Sequence, residues 1–383
     1  MKIMVRLIVL LCCVLLTACA PSVAQERQFL PLQAELINSV TLPQQELDGT
    51  PIGGLSGLTY DRTTETFYAI SDDRSNEAPA RAYRFQIEQN DADGAIARIS
   101  FDQVITLKDS NGEPFAPGTL DPEGIAFTPR HTLMISSEGN LNRDIAPWIQ
   151  EFDPSTGQAL RSLRLPARFL PATPIRDPDP PHGIRNNLGL ESLDVQWTGL
   201  SPDDPFRLFT APESHLTQDE RRTDTDGRDR IRLLHYLINP FGDPVLVSEN
   251  AYLLEPAPEG SLSHGLSDLL TLNEEGHLLT LERSLTLNGY TARLFQVVAG
   301  NATDTSRIAT LGGELTTVAP LKKRLLLDLS TLNIPLDNLE GMTLGPRLAD
   351  GSSLLVLVSD DNFSAEQVTH FLFFRLMEGQ LTP

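Results

Sequence analysis

Cysteine is almost missing from this 383-residue sequence: Cys12, Cys13 and Cys19 all lie close to the N-terminus, and none occurs after them. Over the remaining chain this excludes disulfides, thiolate metal sites and a cysteine nucleophile. Basic residues are also scarce, 30 against 51 acidic ones, for a net charge of −21. Such a surface repels nucleic acid and anionic lipid, and bound cations are the partners that a clustered excess of carboxylates favours. Helical periodicity is nearly absent. No H-E-x-x-H motif, P-loop or glycine-rich dinucleotide fingerprint occurs, and Ser56 and Ser267 lack the second glycine of a G-x-S-x-G elbow. Of the seven histidines, only His182, His215 and His264 fall near the loops singled out below, which argues against zinc.

The N-terminus has the anatomy of an export signal. Lys2 and Arg6 precede the unbroken apolar run Leu7 to Leu16, and Leu16-Thr17-Ala18-Cys19 follows as a lipobox. The run is shorter than the roughly 20 apolar residues that a transmembrane helix needs. The expected organisation is a signal peptide over 1–18, a lipidated Cys19 and short tether over 19–33, and one domain over 34–383. Without Lys2 and Arg6 the balance is 28 basic against 51 acidic residues, or −23. The sequence thus predicts a monomeric lipoprotein, exported and anchored to membrane lipid through acylated Cys19, in the periplasm or at the cell surface.

The mature chain is a succession of short runs rich in Val, Ile, Leu, Phe and Thr, separated by Gly, Asn, Asp and Pro clusters, and reads as all-β. Five copies of one pattern recur: Gly54-Leu55-Ser56-Gly57-Leu58, Asp121-Pro122-Glu123-Gly124-Ile125, Gly189-Leu190-Glu191-Ser192-Leu193, Gly265-Leu266-Ser267-Asp268-Leu269 and Asn338-Leu339-Glu340-Gly341-Met342. Each opens a strand, and the next strand ends in an acidic element: Ser71-Asp72-Asp73, Ser137-Glu138-Gly139, Pro212-Glu213-Ser214, Leu281-Glu282-Arg283 and Ser359-Asp360-Asp361. A period of roughly 65 to 75 residues suits four-stranded blades with long loops. A β-propeller of five four-stranded blades is the favoured fold, with the spare strand Ala34 to Leu42 completing the last blade and closing the ring. Six blades remain an alternative, because the stretch Leu311 to Leu332 is long enough to hold extra strands.

In an antiparallel hairpin the start of one strand lies beside the end of the next. Glu123 is therefore expected beside Glu138, Glu191 beside Glu213, and Glu340 beside Asp360. Ring closure gathers these pairs at one mouth of the central channel, where crowded carboxylates raise each other's pKa values or recruit a cation. Calcium, with six to eight oxygen ligands in flexible geometry, suits such a place. The alternative is that each acid bonds its own turn backbone and only shapes the blade. Arg74 and Arg283 lie among the acids, where they either pair with them or hold an anionic group such as phosphate. The loops from Arg168 to Asn187 and from Ser214 to Asp229 are expected to flank the mouth.

The repeats resemble the phytase-like family, also described by its esterase-like activity. The resemblance rests on "GGLSGLTYD" (Gly53 to Asp61) with "YAISDDR" (Tyr68 to Arg74), "DPEGIAF" (Asp121 to Phe127) with "ISSEGN" (Ile135 to Asn140), "NLGLESL" (Asn187 to Leu193), "LTLERS" (Leu279 to Ser284), and "LDNLEGMTLG" (Leu336 to Gly345) with "VSDDNF" (Val358 to Phe363). It implies a propeller whose acids serve hydrolysis of a small phosphorylated substrate. On that reading Glu123, Glu191 and Glu340 are catalytic, Arg74 and Arg283 bind substrate, and Asp72, Glu138, Glu213, Glu282 and Asp360 hold the metal. The competing reading is a non-catalytic envelope module with a structural cation. Ser56 and Ser267 replace Glu in the first and fourth copies, so the ring is expected to be asymmetric.

Overall fold

The computed structural model describes residues 28–90, 94–171, 181–220, 227–313 and 315–379. The signal segment, Cys19 and most of the tether lie outside the described residues. Strands and turns dominate, as the β-branched and aromatic runs between Gly, Asn and Asp punctuation dictate. Among the described residues the only helices are three short 3-10 turns.

Five antiparallel four-stranded sheets form the blades. The first holds Leu55–Asp61, Thr66–Ser71, Arg81–Gln89 and Ile96–Thr106, and the second Pro122–Phe127, Leu133–Ser137, Trp148–Phe152 and Ala159–Leu163. The third holds Leu190–Trp197, Phe206–Pro212, Arg230–Ile238 and Val245–Leu253, and the fourth Ser261–Thr271, His277–Thr286, Gly289–Val298 and Lys322–Asp328. The fifth holds Asn338–Arg347, Ser353–Asp360 and His370–Glu378, with Leu32–Thr41 as its outer strand. The first-named strand of each blade touches that of the next, and the fifth returns to the first, so these strands line a closed channel.

The closing strand runs antiparallel to His370–Glu378, with Leu32 opposite Glu378 and Thr41 opposite His370. It covers an edge that would otherwise leave backbone donors and acceptors unpaired beside Phe371, Phe373 and Phe374, all fully buried. The stretch Leu311 to Leu332 supplies the outer strand of the fourth blade, not a sixth blade. A small hairpin, Gln45–Leu47 with Thr50–Ile52, follows the closing strand. Its Asp48-Gly49 turn has both φ angles positive, as a two-residue hairpin loop requires.

Apolar residues fill the spaces between neighbouring sheets; one such layer joins Leu58, Phe67 and Phe85 of the first blade to Val356, Phe371 and Phe373 of the fifth. Polar staples supplement it near the axis. Asp268 of the fourth blade accepts from the Met342 amide of the fifth at 2.7 Å, and Asp194 of the third from the Thr271 amide of the fourth at 2.6 Å. Each staple pairs a backbone amide that ladder bonding leaves free, so blade order is fixed by hydrogen bonds as well as by packing.

Candidate functional site

Each channel-lining strand opens on the five-residue repeat, and each carries the same irregularity. Its pairing register slips between Leu55 and Gly57, Pro122 and Ile125, Leu190 and Ser192, Leu266 and Asp268, and Leu339 and Gly341. The residue left out of the ladder is the third of the repeat: Ser56, Glu123 (with Gly124), Glu191, Ser267 or Glu340. A β-bulge bends its strand and re-aims a side chain. Five bulges around one ring therefore send five side chains toward one place.

The fourth position explains how the ring closes so tightly. A Cβ on Gly57 would stand 2.6 Å from the Glu123 carbonyl oxygen, one on Gly124 2.8 Å from that of Glu191, and one on Gly341 3.0 Å from that of Ser56. Each glycine thus admits the bulge of the next blade against bare backbone. In the fourth blade this position is Asp268, whose carboxylate makes the inter-blade bond instead.

A second tier comes from the ends of the adjacent strands. The Asp72, Glu138 and Glu213 amides donate to the carbonyls of Gly54, Asp121 and Gly189 at 2.8, 3.0 and 2.8 Å, Gly265 stands opposite Arg283, and Asn338 opposite Asp360. Asp72, Glu138, Glu213, Arg283 and Asp360 are therefore equivalent positions of the five blades.

Three overlapping groups of carboxylates result, each with oxygens within 4.8 Å of one another: Asp121, Glu123 and Glu138; Glu138, Glu191 and Glu213; and Glu123, Glu191 and Glu340. The last draws on the second, third and fifth blades and so spans the channel. Asp360 joins through Asn338, whose amide group donates to Glu340 at 2.7 Å and to Asp360 at 3.3 Å. With Asp72 this makes eight carboxylates. Two guanidiniums face them. Arg74 grips Asp121 with Nε and Nη2, at 2.6 and 2.5 Å, and its Nη2 also donates to Asn187. Arg283 donates to Glu213 and Glu340, each at 2.9 Å.

Burial and mutual repulsion set the electrostatics. Burial, reinforced by Glu191 and Asp121, lifts the Glu123 carboxyl well above its ordinary range, and burial with Glu213 and Glu138 does the same to Glu191. Burial outweighs Arg283 at Glu340, which is also lifted well above its range, and burial with Asp360 and Glu340 lifts Asp72. Glu138 is pushed by burial, then by Asp121 and Glu213, up to about 8. Asp121 and Asp360, also raised by burial, are restrained to about 6, the first by Arg74 and the second chiefly by the Asn362 amide.

One atom of the ring stands out by its surroundings. Glu138 is 3% exposed; its Oε1 accepts from the Gly189 amide at 3.0 Å, while no nitrogen or hydroxyl donor reaches its buried Oε2, and the neighbouring Glu191 carboxyl is the group that can share a proton with Glu138. A buried carboxyl oxygen among so many acids costs free energy unless a shared proton or a cation meets it. Oxygen donors alone, from several rigid strands, match the hard divalent cations calcium and magnesium; calcium better tolerates so many carboxylates in irregular geometry.

The sequence matches the family model described as "Phytase-like: Esterase-like activity of phytase" over residues 50–363. The chain belongs to the phytase-like family. The matched span contains all five repeats of this phytase-like chain and both tiers of its ring. No curated protein matches it. Among solved structures it is similar to the endo-arabinase from Bacteroides thetaiotaomicron VPI-5482, at 12% identity over 90% of this chain and 99% of that one, with a TM-score of 0.44. It is also similar to the catalytic domain of the Coprinopsis cinerea GH62 alpha-L-arabinofuranosidase, at 10% identity over 91% and 98% with a TM-score of 0.40, and to a member of the duf4221 family from Bacteroides vulgatus, at 9% identity over 91% and 99% with a TM-score of 0.36.

Of the site residues expected in the phytase-like repeats, Glu123, Glu138, Glu191, Glu213 and Glu340 converge directly, Asp72 and Asp360 stand beside them, and Arg74 and Arg283 are their counter-ions. Glu282 is the exception. Strand alternation turns it away from the channel while Arg283 faces in, and it accepts from Tyr252 at 2.6 Å and from Lys323. Asp121, missing from the expected set, is on the ring; its place as first residue of an acidic repeat was the available signal. The expected flanking loops do meet at the mouth: the Thr217 amide donates to Gly183 and the Gly183 amide to Gln218, while residues 172–180 and 221–226 lie outside the described residues. Arg185 and His215 face each other there, 3.3 Å apart.

Two surface concavities lie elsewhere. One of about 420 Å³ is lined by Thr59, Phe127, Val195, Leu270 and Thr343, at the far ends of the channel strands, and one of about 570 Å³ lies beside it between the fourth and fifth blades. Neither concavity is lined by a carboxylate of the ring.

Proposed function

We propose that this phytase-like propeller is a metal-dependent phosphoester hydrolase of the cell envelope, with a calcium ion held in the acidic ring. The observation that carries the reading is the buried Glu138 Oε2, which no nitrogen or hydroxyl donor reaches, inside overlapping carboxylate groups from different blades. Asp121, Glu138, Glu191 and Glu213 would hold the ion, with Asp72 and Asp360 at the margin. When bound, the ion supplies positive charge that neutralises the acids and polarises a phosphoryl oxygen. Glu123 and Glu340, whose carboxyls burial lifts well above the ordinary range, suit the holding of a proton. Arg74, whose side chain is 37% exposed, can turn part of its guanidinium to an anionic substrate.

Hydrolysis of p-nitrophenyl phosphate, bis-p-nitrophenyl phosphate and inositol hexakisphosphate, followed with calcium and with chelator, tests this. Calcium-dependent turnover should fall roughly 10²- to 10⁴-fold in Glu123→Gln and Glu340→Gln, the usual range for losing a general acid or base. Turnover that survives either substitution contradicts the assignment.

A second reading has its own support: Asp121, Glu123, Glu138, Glu191, Glu213, Glu340 and Asp360 are all at least nine-tenths buried, which suits a structural ion in a binding platform. That reading predicts a calcium-dependent rise in melting temperature with no turnover.

The reading includes export and lipidation at Cys19, supported by the lipobox. Cys19→Ala should abolish palmitate labelling and release the chain from the membrane fraction; labelling that persists would refute it.

A further inference from the structure

The cation reading of the ring leaves one residue unexplained. Four blades place an acid at the end of the strand next to the channel strand, as Asp72, Glu138, Glu213 and Asp360, and the fourth blade places Arg283 there. Its guanidinium does not face solvent. Arg283 is 9% exposed, and its terminal nitrogens donate to Glu213 on the third blade, to Glu340 on the fifth and to Asn338, while its buried Nε has no partner. A strand from the intervening blade thus reaches both neighbours and bridges their acids.

We infer that Arg283 is a built-in cation of the ring: its guanidinium occupies one of two cation positions and confines a divalent ion to the other, on the side of the second and third blades. The inference rests on the ring binding a divalent ion at all. Two features separate the halves. Around Arg283, the Glu213 and Glu340 oxygens that face it already have a donor; around Asp121, Glu123, Glu138 and Glu191, the Glu138 Oε2 atom has no nitrogen or hydroxyl donor. A guanidinium also cannot dissociate or lose its charge at any physiological pH. Glu340, Glu213 and Glu191 outweigh burial and hold it more firmly protonated than usual. Half of the ring is therefore neutralised permanently, and only the other half responds to the ion concentration outside.

Calorimetric titration of calcium into the purified chain and its Arg283→Gln and Arg283→Lys variants at pH 8 tests this. Arg283→Gln is expected to bind one equivalent more than the wild type, or to bind roughly ten-fold more tightly, the effect of about 1.4 kcal/mol of relieved charge repulsion. Arg283→Lys, which keeps the charge, is expected to match the wild type. Unchanged stoichiometry and affinity in Arg283→Gln overturns the inference while leaving the ion site standing, and so does a lysine variant that gains binding as glutamine does. Binding by Arg283→Gln alone supports the guanidinium as occupant and refutes the wild-type ion site. Absence of binding in all three refutes both. An Arg283→Gln protein that folds only with calcium supports the exchange directly; one that folds in neither condition leaves the decision to the lysine variant, which must fold and keep wild-type binding.

Discussion

Without divalent ions the protein should melt at a lower temperature at pH 8 than at pH 5, by on the order of 10 °C, and calcium should remove most of that difference. The sign follows from the ring. Burial and neighbouring acids raise Glu138 to about 8 and Asp121 and Asp360 to about 6, and lift Glu123, Glu191, Glu340 and Asp72 well above their ordinary range. The folded state therefore holds more protons than the unfolded chain between about pH 4 and 8. Stability present below the unfolded carboxyl values is lost as pH rises through the folded ones. Glu138 alone, moved from 4.5 to about 8, corresponds to several kcal/mol. Carboxylates of the opposite kind do not cancel this. At Asp73 burial is outweighed by Arg81 and backbone amides, and at Asp61 by Thr63 and Thr64, so both are held below the usual range. Their stabilisation is lost only as pH falls below the ordinary carboxyl range, outside the window. On the proposed function calcium would bind the deprotonated ring and the folded state alone, restoring stability where the ion-free protein is weakest. Scanning calorimetry with chelator and with calcium across pH 5 to 8 checks the claim; a flat ion-free profile would refute it.

The double substitution Glu138→Gln and Glu191→Gln should stabilise the ion-free protein at pH 8 and abolish its response to calcium. Both acids lie in the group with Glu213, and both are driven upward by burial and by other acids. Glutamine keeps the volume and one acceptor, so the Gly189 amide still finds a partner at position 138, while the repulsion and the cost of a buried charge disappear. Calcium affinity should fall by about a hundredfold or more, since even groups behind the ligands commonly contribute 10- to 100-fold. A ring that sacrifices stability for charge is expected of a functional site and not of a turn motif. Melting curves of the variant decide between them. A lower ion-free melting temperature at pH 8 would show that the two acids are structural partners.

Much of this could be read from the sequence because the propeller repeats itself. Five copies of one repeat, with one spare strand, define a closed ring of five. The pairs Glu123 with Glu138 and Glu191 with Glu213 follow from hairpin geometry alone. What escaped was register. Placing Glu282 among the metal ligands beside an expected Arg283 is a one-residue slip, and in a strand one residue reverses the face. The acidic letter suggested the wrong neighbour because the fourth blade carries a cation where the others carry an acid. The bulges escaped as well, since an extra residue in a ladder leaves no compositional trace; Gly124 packs on the Glu191 carbonyl of a blade whose approach no local window contains. Asp121 was visible as the start of an acidic repeat, but its pairing with Arg74, 47 residues away, depends on a loop path that local patterning does not set.

The central claim is that the ring is a cation site and not a set of turn residues. Isothermal titration of calcium into the chelator-treated chain at pH 8, repeated in two buffers of different ionisation enthalpy, tests it most directly. Saturable binding with release of protons is predicted, because the ion must displace those held on carboxyls such as Glu138. An absence of binding, or binding that releases no protons and is unchanged in the Glu138→Gln and Glu191→Gln double variant, would contradict it.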